Sequence, residues 1–300
     1  CVKHYVNSGE EMPAIGFTPD AEFPVIFFEK GAISGRIVKK LDKKPEVKVL
    51  SITGGTAANV VMPVCTMVVE GDFAFAESDG IKVTKEGGNT IIVSKGTSAH
   101  GSTPELGVNA GIQLFAALRE QKVKLGGDLQ KVVDFIMDKI GTDTEGEGLG
   151  IRYTDEETGT TSLCIGVIHC TEDECSFTID YRYPNHTDSG EALARFEKEA
   201  RGYGLRPELR QSANPLYVSK ESELVRKLVS VYKEKTGDMT EPLAIGGGTY
   251  AKAFQNMVAF GPVFPGEPDV IHQPNECAEV DKLMQAFQII AAAMYEIACK

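Results

Sequence analysis

The sequence predicts an α/β domain that is interrupted by a middle α+β domain and completed by the C-terminal part of the chain. Three observations carry this. Residues 25–28, a short apolar run preceded by Pro24, read as a buried strand near the N-terminus. From 31 to about 210, short β-rich runs alternate with helical periodicity, which is the pattern of an α+β segment. From 219 the periodicity turns helical, and an apolar triplet, a glycine triplet and a terminal helix then return the pattern to α/β.

The elements follow in order. Gly16-Phe-Thr-Pro-Asp20-Ala-Glu-Phe-Pro24 is a turn that feeds the strand 25–28, with Asp20 at its mouth. In the middle segment the β-rich runs are 47–52, 66–69, 81–83, 90–93, 162–168 and 175–183. Its helices are expected over 104–120, capped by Ser102 or Thr103 with Pro104 near the first turn, then over 128–140 and 189–203. The stretch 141–159, rich in Gly, Asp, Glu and Thr, is the strongest loop signal and is expected to divide the middle segment into two α+β halves. The C-terminal part holds a helical pattern to 235, a strand at 243–245, Gly246-Gly247-Gly248, a run at 257–260 and a helix from about 280.

Composition narrows the classes of function. With 300 residues, 42% hydrophobic, 25% charged and no Trp, the chain is an ordinary globular protein, long enough for one large or two modest domains. Forty-three acidic against 31 basic residues leave a net charge of −12, and no local basic stripe offsets it, so binding to a nucleic-acid backbone is disfavoured. The longest apolar candidate, 287–298, carries Gln288 and Glu296, and no stretch approaches the ~20 apolar residues that cross a bilayer. Seven cysteines without a C-x-x-C pair point to free thiols in a reducing compartment, hence to the cytoplasm. No targeting segment is recognisable around Cys1-Val2-Lys3-His4.

Several polar signals could carry chemistry, each beside a plainer alternative. Asp20 could ligate a metal or merely close an Asx-turn. His100, in Ser98-Ala99-His100-Gly101-Ser102, could stabilise developing negative charge, or it could be an ordinary histidine near a helix start. His272, in Asp269-Val-Ile-His272-Gln-Pro-Asn-Glu276, is placed as a neutral metal ligand or as a surface-loop histidine. Gly246-Gly-Gly-Thr249 could aim backbone N–H groups at a carboxylate or be a tight strand-to-helix turn. It lacks the lysine of a P-loop, so nucleotide binding is poorly supported. Cys164, His169, Cys170 and Cys175 lack zinc-knuckle spacing, and no G-x-S-x-G elbow accompanies Ser98 or Ser102.

Taken together and in order, these pieces form a set. Thr18-Pro-Asp20-Ala-Glu-Phe-Pro24, Gly54-Gly55-Thr56-Ala57-Ala58-Asn59, Ser98-Ala99-His100-Gly101-Ser102, Asp180-Tyr-Arg182-Tyr-Pro184, Gly246-Gly-Gly-Thr-Tyr-Ala251 and His272-Gln-Pro-Asn-Glu276 span nearly the whole chain. With them the chain resembles the di-zinc bacterial dipeptidases of the Xaa-His type, relatives of aminoacylase, carnosinase and carboxypeptidase G.

The resemblance implies an α/β catalytic domain with a mixed sheet and flanking helices, here partial, made of 1–30 and 216–300 and interrupted by an α+β lid domain at 31–215. It implies two zinc ions per complete site, with Asp20 a ligand of one and His272 a ligand of the other. Asn59, His100 and Arg182 are then lid residues that reach a dipeptide substrate, His100 as the catalytic group that polarises the scissile carbonyl or holds its oxyanion. Gly247, Gly248 and Thr249 form the cradle for the substrate's C-terminal carboxylate. The family's H-x-D motif, bridging Asp and Glu-Glu pair all fall before the position of Cys1. Since a catalytic zinc takes about three protein ligands, the expectation is a chain that binds zinc weakly or not at all and is inactive alone, with residues missing before Cys1 and uncovered sheet edges that favour self-association or disorder around 1–15. Deacylation or desuccinylation of N-acyl amino acids is the alternative within the superfamily, and a non-catalytic dimerising lid module is the alternative outside it. Asp20-Ala-Glu-Phe-Pro and the long middle segment favour dipeptides.

Overall fold

The computed structural model describes residues 2–268 and 275–299. The chain divides into two compact units: Gly31–Asp155 with Gly159–Ala213, and Cys1–Lys30 with Glu156–Thr158 and Asn214–Lys300.

The first of these is built on a nine-stranded sheet. Its strands run in the order Arg206–Ala213, Gly31–Lys40, Glu174–Tyr183, Ile168–Cys170, Val49–Gly54, Val64–Glu70, Asn89–Lys95, Ile81–Glu86, with Ser162–Cys164 also against Glu174–Tyr183, and all pairings are antiparallel. Alternation fixes the register: along Val64–Glu70, Cys65, Met67 and Val69 are buried and their neighbours face outward. The helices Ala110–Glu120, Gly127–Lys139 and Ser189–Gly202 bury Leu114, Phe115, Val132, Phe135, Ile136 and Phe196 in the same cluster. That cluster contains Ile33, Leu118, Ile151 and Leu205, so a single core lies on both sides of the loop 141–159.

Local chemistry revises several sequence expectations. The helix expected over 104–120 is two elements, a 3-10 turn Pro104–Leu106 and the helix Ala110–Glu120. Between them Gly107 is extended and Val108 bridges Thr97, which draws the backbone out of helical geometry. The cap is therefore Asn109, whose Oδ1 accepts from the N–H groups of Gly111 at 3.0 Å and Ile112 at 3.2 Å, and neither Ser102 nor Thr103 caps it. Strands Gly31–Lys40 and Arg206–Ala213 were not expected. Arg206–Ala213 is a sheet edge carrying Arg206, Glu208, Arg210 and Gln211, a composition that reads as a loop. Cys170 and Cys175 form a disulfide, contrary to the expected free thiols, because the hairpin places them directly opposite each other.

The second unit holds a five-stranded mixed sheet: Gly16–Thr18, Met257–Ala259, Ile26–Glu29 and Leu216–Tyr217 in order, with Leu243–Ile245 parallel to Ile26–Glu29. Helices Glu223–Thr236 and Val280–Cys299 pack on one another and bury Leu228, Tyr232, Ala286 and Ile289 with Phe23, Phe28 and Phe260. Phe23 anchors this core, its ring 4.9 Å from Phe260, 5.0 Å from Phe264 and 5.2 Å from Tyr232. Residues Val2–Val6, in the stretch where disorder was expected as the alternative to self-association, form a helical turn with Tyr5 against Phe254 and its hydroxyl donating to the Glu11 carbonyl at 2.6 Å. No helix among the described residues is long and apolar enough to cross a membrane.

Candidate functional site

In the unit around the nine-stranded sheet, the structure brings Asn59, His100 and Arg182 to one cluster of loops and strand ends. The Gly101 N–H donates to the Asn59 carbonyl at 2.7 Å, and Val60 bridges His100 across the same pair of segments. Arg182 lies two residues beyond Asp180 on strand Glu174–Tyr183, so both side chains project from the same face. Its Nε and Nη2 donate to Asp180 Oδ2 at 3.0 and 2.9 Å, with both side chains nearly buried. Gly101 rests on this pair: a Cβ there would stand 2.7 Å from Asp180 Oδ2 and 2.9 Å from the Asn59 carbonyl. Only glycine permits that approach. Asp180 is thus the hub of the cluster, and its orienting role was not read from the sequence although it stands in the same motif as Arg182.

His100 is exposed, and its Nδ1 faces Ser102 Oγ at 2.6 Å. The Ser102 N–H also points at Nδ1, at 3.4 Å. Whether Ser102 Oγ donates to Nδ1 or accepts from it follows from which ring nitrogen carries the proton.

In the other unit, Asp20 is exposed in the turn between Gly16–Thr18 and Ala21–Glu22. Gly247, Gly248 and Thr249 follow the strand Leu243–Ile245, which runs parallel to Ile26–Glu29 and pairs Ile245 with Glu29. Glu29 is fully buried and was not anticipated, being the polar end of an apolar strand. Burial pushes its carboxyl above the usual 4.5, opposed by hydrogen bonds from Thr249 and the charge of Lys252, while the Asp20 charge raises it further. The Thr249 N–H donates to Glu29 Oε2 at 2.8 Å and the Thr249 hydroxyl to Oε1 at 2.5 Å. Lys252 Nζ donates to the Lys30 carbonyl at 2.6 Å.

His272 lies outside the described residues. Among the described residues no group of three His, Cys, Asp or Glu side chains is placed to hold a metal ion. Asp20 is a carboxylate of the type that ligates zinc, and a zinc site takes about three protein ligands.

Residues 71–296 match the peptidase family M20/M25/M40. The chain belongs to this family. Over 313 residues it is 34% identical to "Putative dipeptidase YtjP" of Bacillus subtilis, a match that takes in 99% of this chain and 66% of that protein. Over 314 residues it is 32% identical to "Putative dipeptidase SH1171" of Staphylococcus haemolyticus, with the same coverage of each chain. The M20 chain thus spans just under two thirds of the length of these relatives. Its fold is similar to that of the aminoacylhistidine dipeptidase from Vibrio alginolyticus, with a TM-score of 0.51 and 14% identity, over 96% of this chain and 66% of the other.

Proposed function

We propose that the protein carrying this sequence hydrolyses dipeptides in a metal-dependent reaction, with zinc as the metal. The observation that carries the reading is the grouping of Asn59, His100 and Arg182, with Ser102 against Nδ1 of His100. Relatives at 32–34% identity that bear dipeptidase names support it.

In this reading the unit Gly31–Ala213 acts as the lid of the M20 fold, and His100 donates its Nε2–H to the scissile carbonyl oxygen. As the tetrahedral intermediate forms, charge grows on that oxygen and the hydrogen bond strengthens, which lowers the barrier without tightening the ground state equally. Arg182, held by Asp180, offers a fixed cation to the substrate, and Asn59 adds a neutral amide. The turn 246–249 receives the C-terminal carboxylate through backbone N–H groups. The bound metal would supply activated water, with Asp20 and His272 among its ligands. Comparing Ala-Ala with N-acetylalanine as substrates of the zinc-supplemented protein tests the reading. Turnover of Ala-Ala is expected; hydrolysis of N-acetylalanine alone would make the enzyme a deacylase instead.

A further inference from the structure

We propose that Glu29 and Thr249 form a pin, braced by Lys252, that orients the turn 246–249, so that an anionic substrate group is met by the Gly248 N–H while Thr249 serves as a positioning residue. The inference rests on the reading of this turn as the carboxylate cradle.

Thr249 has no donor left for a ligand. Its N–H and hydroxyl each serve one oxygen of Glu29, at 2.8 and 2.5 Å, and its Oγ1 accepts from the Ala251 N–H at 3.1 Å. A fully buried carboxylate is costly unless every oxygen is satisfied, and here one residue satisfies both. Glu29 is itself held in place, because it ends a strand whose neighbour, Leu243–Ile245, leads directly into the glycines. The pin therefore joins the start of the turn to its end.

Lys252 braces the middle. Its Nζ, anchored on the Lys30 carbonyl, lies 3.5 Å from the Gly247 carbonyl, and a Cβ on Gly248 would stand 3.0 Å from it. In a trans peptide C=O and N–H point opposite ways, so a Gly247 carbonyl turned toward Lys252 sends the Gly248 N–H away from it. Gly248 is exposed, and among the described residues its N–H meets no acceptor. One face of the turn is thus secured on a buried carboxylate and an ammonium. The other presents an amide donor with a cation beneath it, which is a fitting receptor for one carboxylate.

Amide NMR on the 15N-labelled 300-residue chain tests this, with Ala-Ala as probe and alaninamide as the control that lacks a carboxylate. Slow hydrogen exchange is expected at Thr249 in the parent chain and in Thr249→Ser, and exchange about tenfold faster in Glu29→Gln. Ala-Ala should shift the Gly248 amide and alaninamide should not, with affinity for Ala-Ala about tenfold weaker in Glu29→Gln and Thr249→Val and retained in Thr249→Ser, the scale of one charge-assisted hydrogen bond. Exchange at Thr249 that is unchanged in Glu29→Gln, or binding by Thr249→Val equal to the parent's, overturns the pin. If protection depends on Glu29 but both ligands shift Gly248 alike, the pin stands and the cradle reading falls.

Discussion

The carboxylate of Asp180 holds Arg182 in place. Nε and Nη2 of the guanidinium both donate to its Oδ2, and these charge-assisted hydrogen bonds between two nearly buried side chains restrict the rotamers of Arg182. If the proposed dipeptidase activity holds, Asp180→Asn is expected to lower kcat/KM for Ala-Ala at least about tenfold, with Arg182→Ala adding little in the double variant; additive losses would show that the two residues act separately. Gly101→Ala places a methyl 2.7 Å from Asp180 Oδ2, and a loss of about 1–3 kcal/mol in urea denaturation is expected as the loop and the ion pair give way. Burial pushes the thiols of Cys65 and Cys164 up to about 12, whereas Cys277 and Cys299 are exposed. A thiol reagent at pH 8 should therefore modify Cys277 and Cys299 in the native protein and reach Cys65 and Cys164 only after denaturation. At this scale the motifs made Asp20, Asn59, His100 and Arg182 visible as types. Glu29 stayed hidden as a partner, because its buried hydrogen bond to Thr249 spans 220 residues and leaves no local pattern.

Among the elements, the helix Ala110–Glu120 shows how a cap overrides periodicity. Asn109 closes its first turn and also donates through Nδ2 to the Ile165 carbonyl at 2.7 Å, so Asn109→Ala removes a cap and a tertiary link together. A loss near 2 kcal/mol, the upper end for caps, is expected in equilibrium unfolding; a loss of a few tenths would remove the cap from this account. The helix Gly127–Lys139 carries a pH-dependent contact at its start. Lys131 Nζ at 2.8 Å, then the Lys43 N–H at 2.9 Å and Lys39, hold the Asp128 carboxyl well below its ordinary 3.8 against the opposing effect of burial. A folded value below the unfolded one gives stability that is complete above pH 3.8 and disappears as the pH falls through the folded value. Between pH 5 and pH 2.5 the urea midpoint of the parent should drop more than that of Asp128→Asn, and parallel curves would refute the assignment. Strongly periodic elements such as the helices 128–140 and 189–203 were legible to within a residue or two. Gly31–Lys40 and Arg206–Ala213 were not, since a glycine-bearing strand and a charged edge gain their identity from the partners they pair with.

For the molecule as a whole, two hydrophobic clusters, one around the nine-stranded sheet and one around the mixed sheet, account for the fold. The amino-acid sequence by itself determined the alternation of an α/β with an α+β segment, the net charge of −12, and the residue types that mark an M20 peptidase, because periodicity, charge and short motifs are local and additive. Tertiary structure alone decided that Asp180 holds Arg182, that Ser102 meets the ring of His100, that Cys170 meets Cys175, and that Thr249 turns inward to Glu29. Each of these is a directional contact set by sheet register or turn geometry, and direction exists only once the backbone is in place.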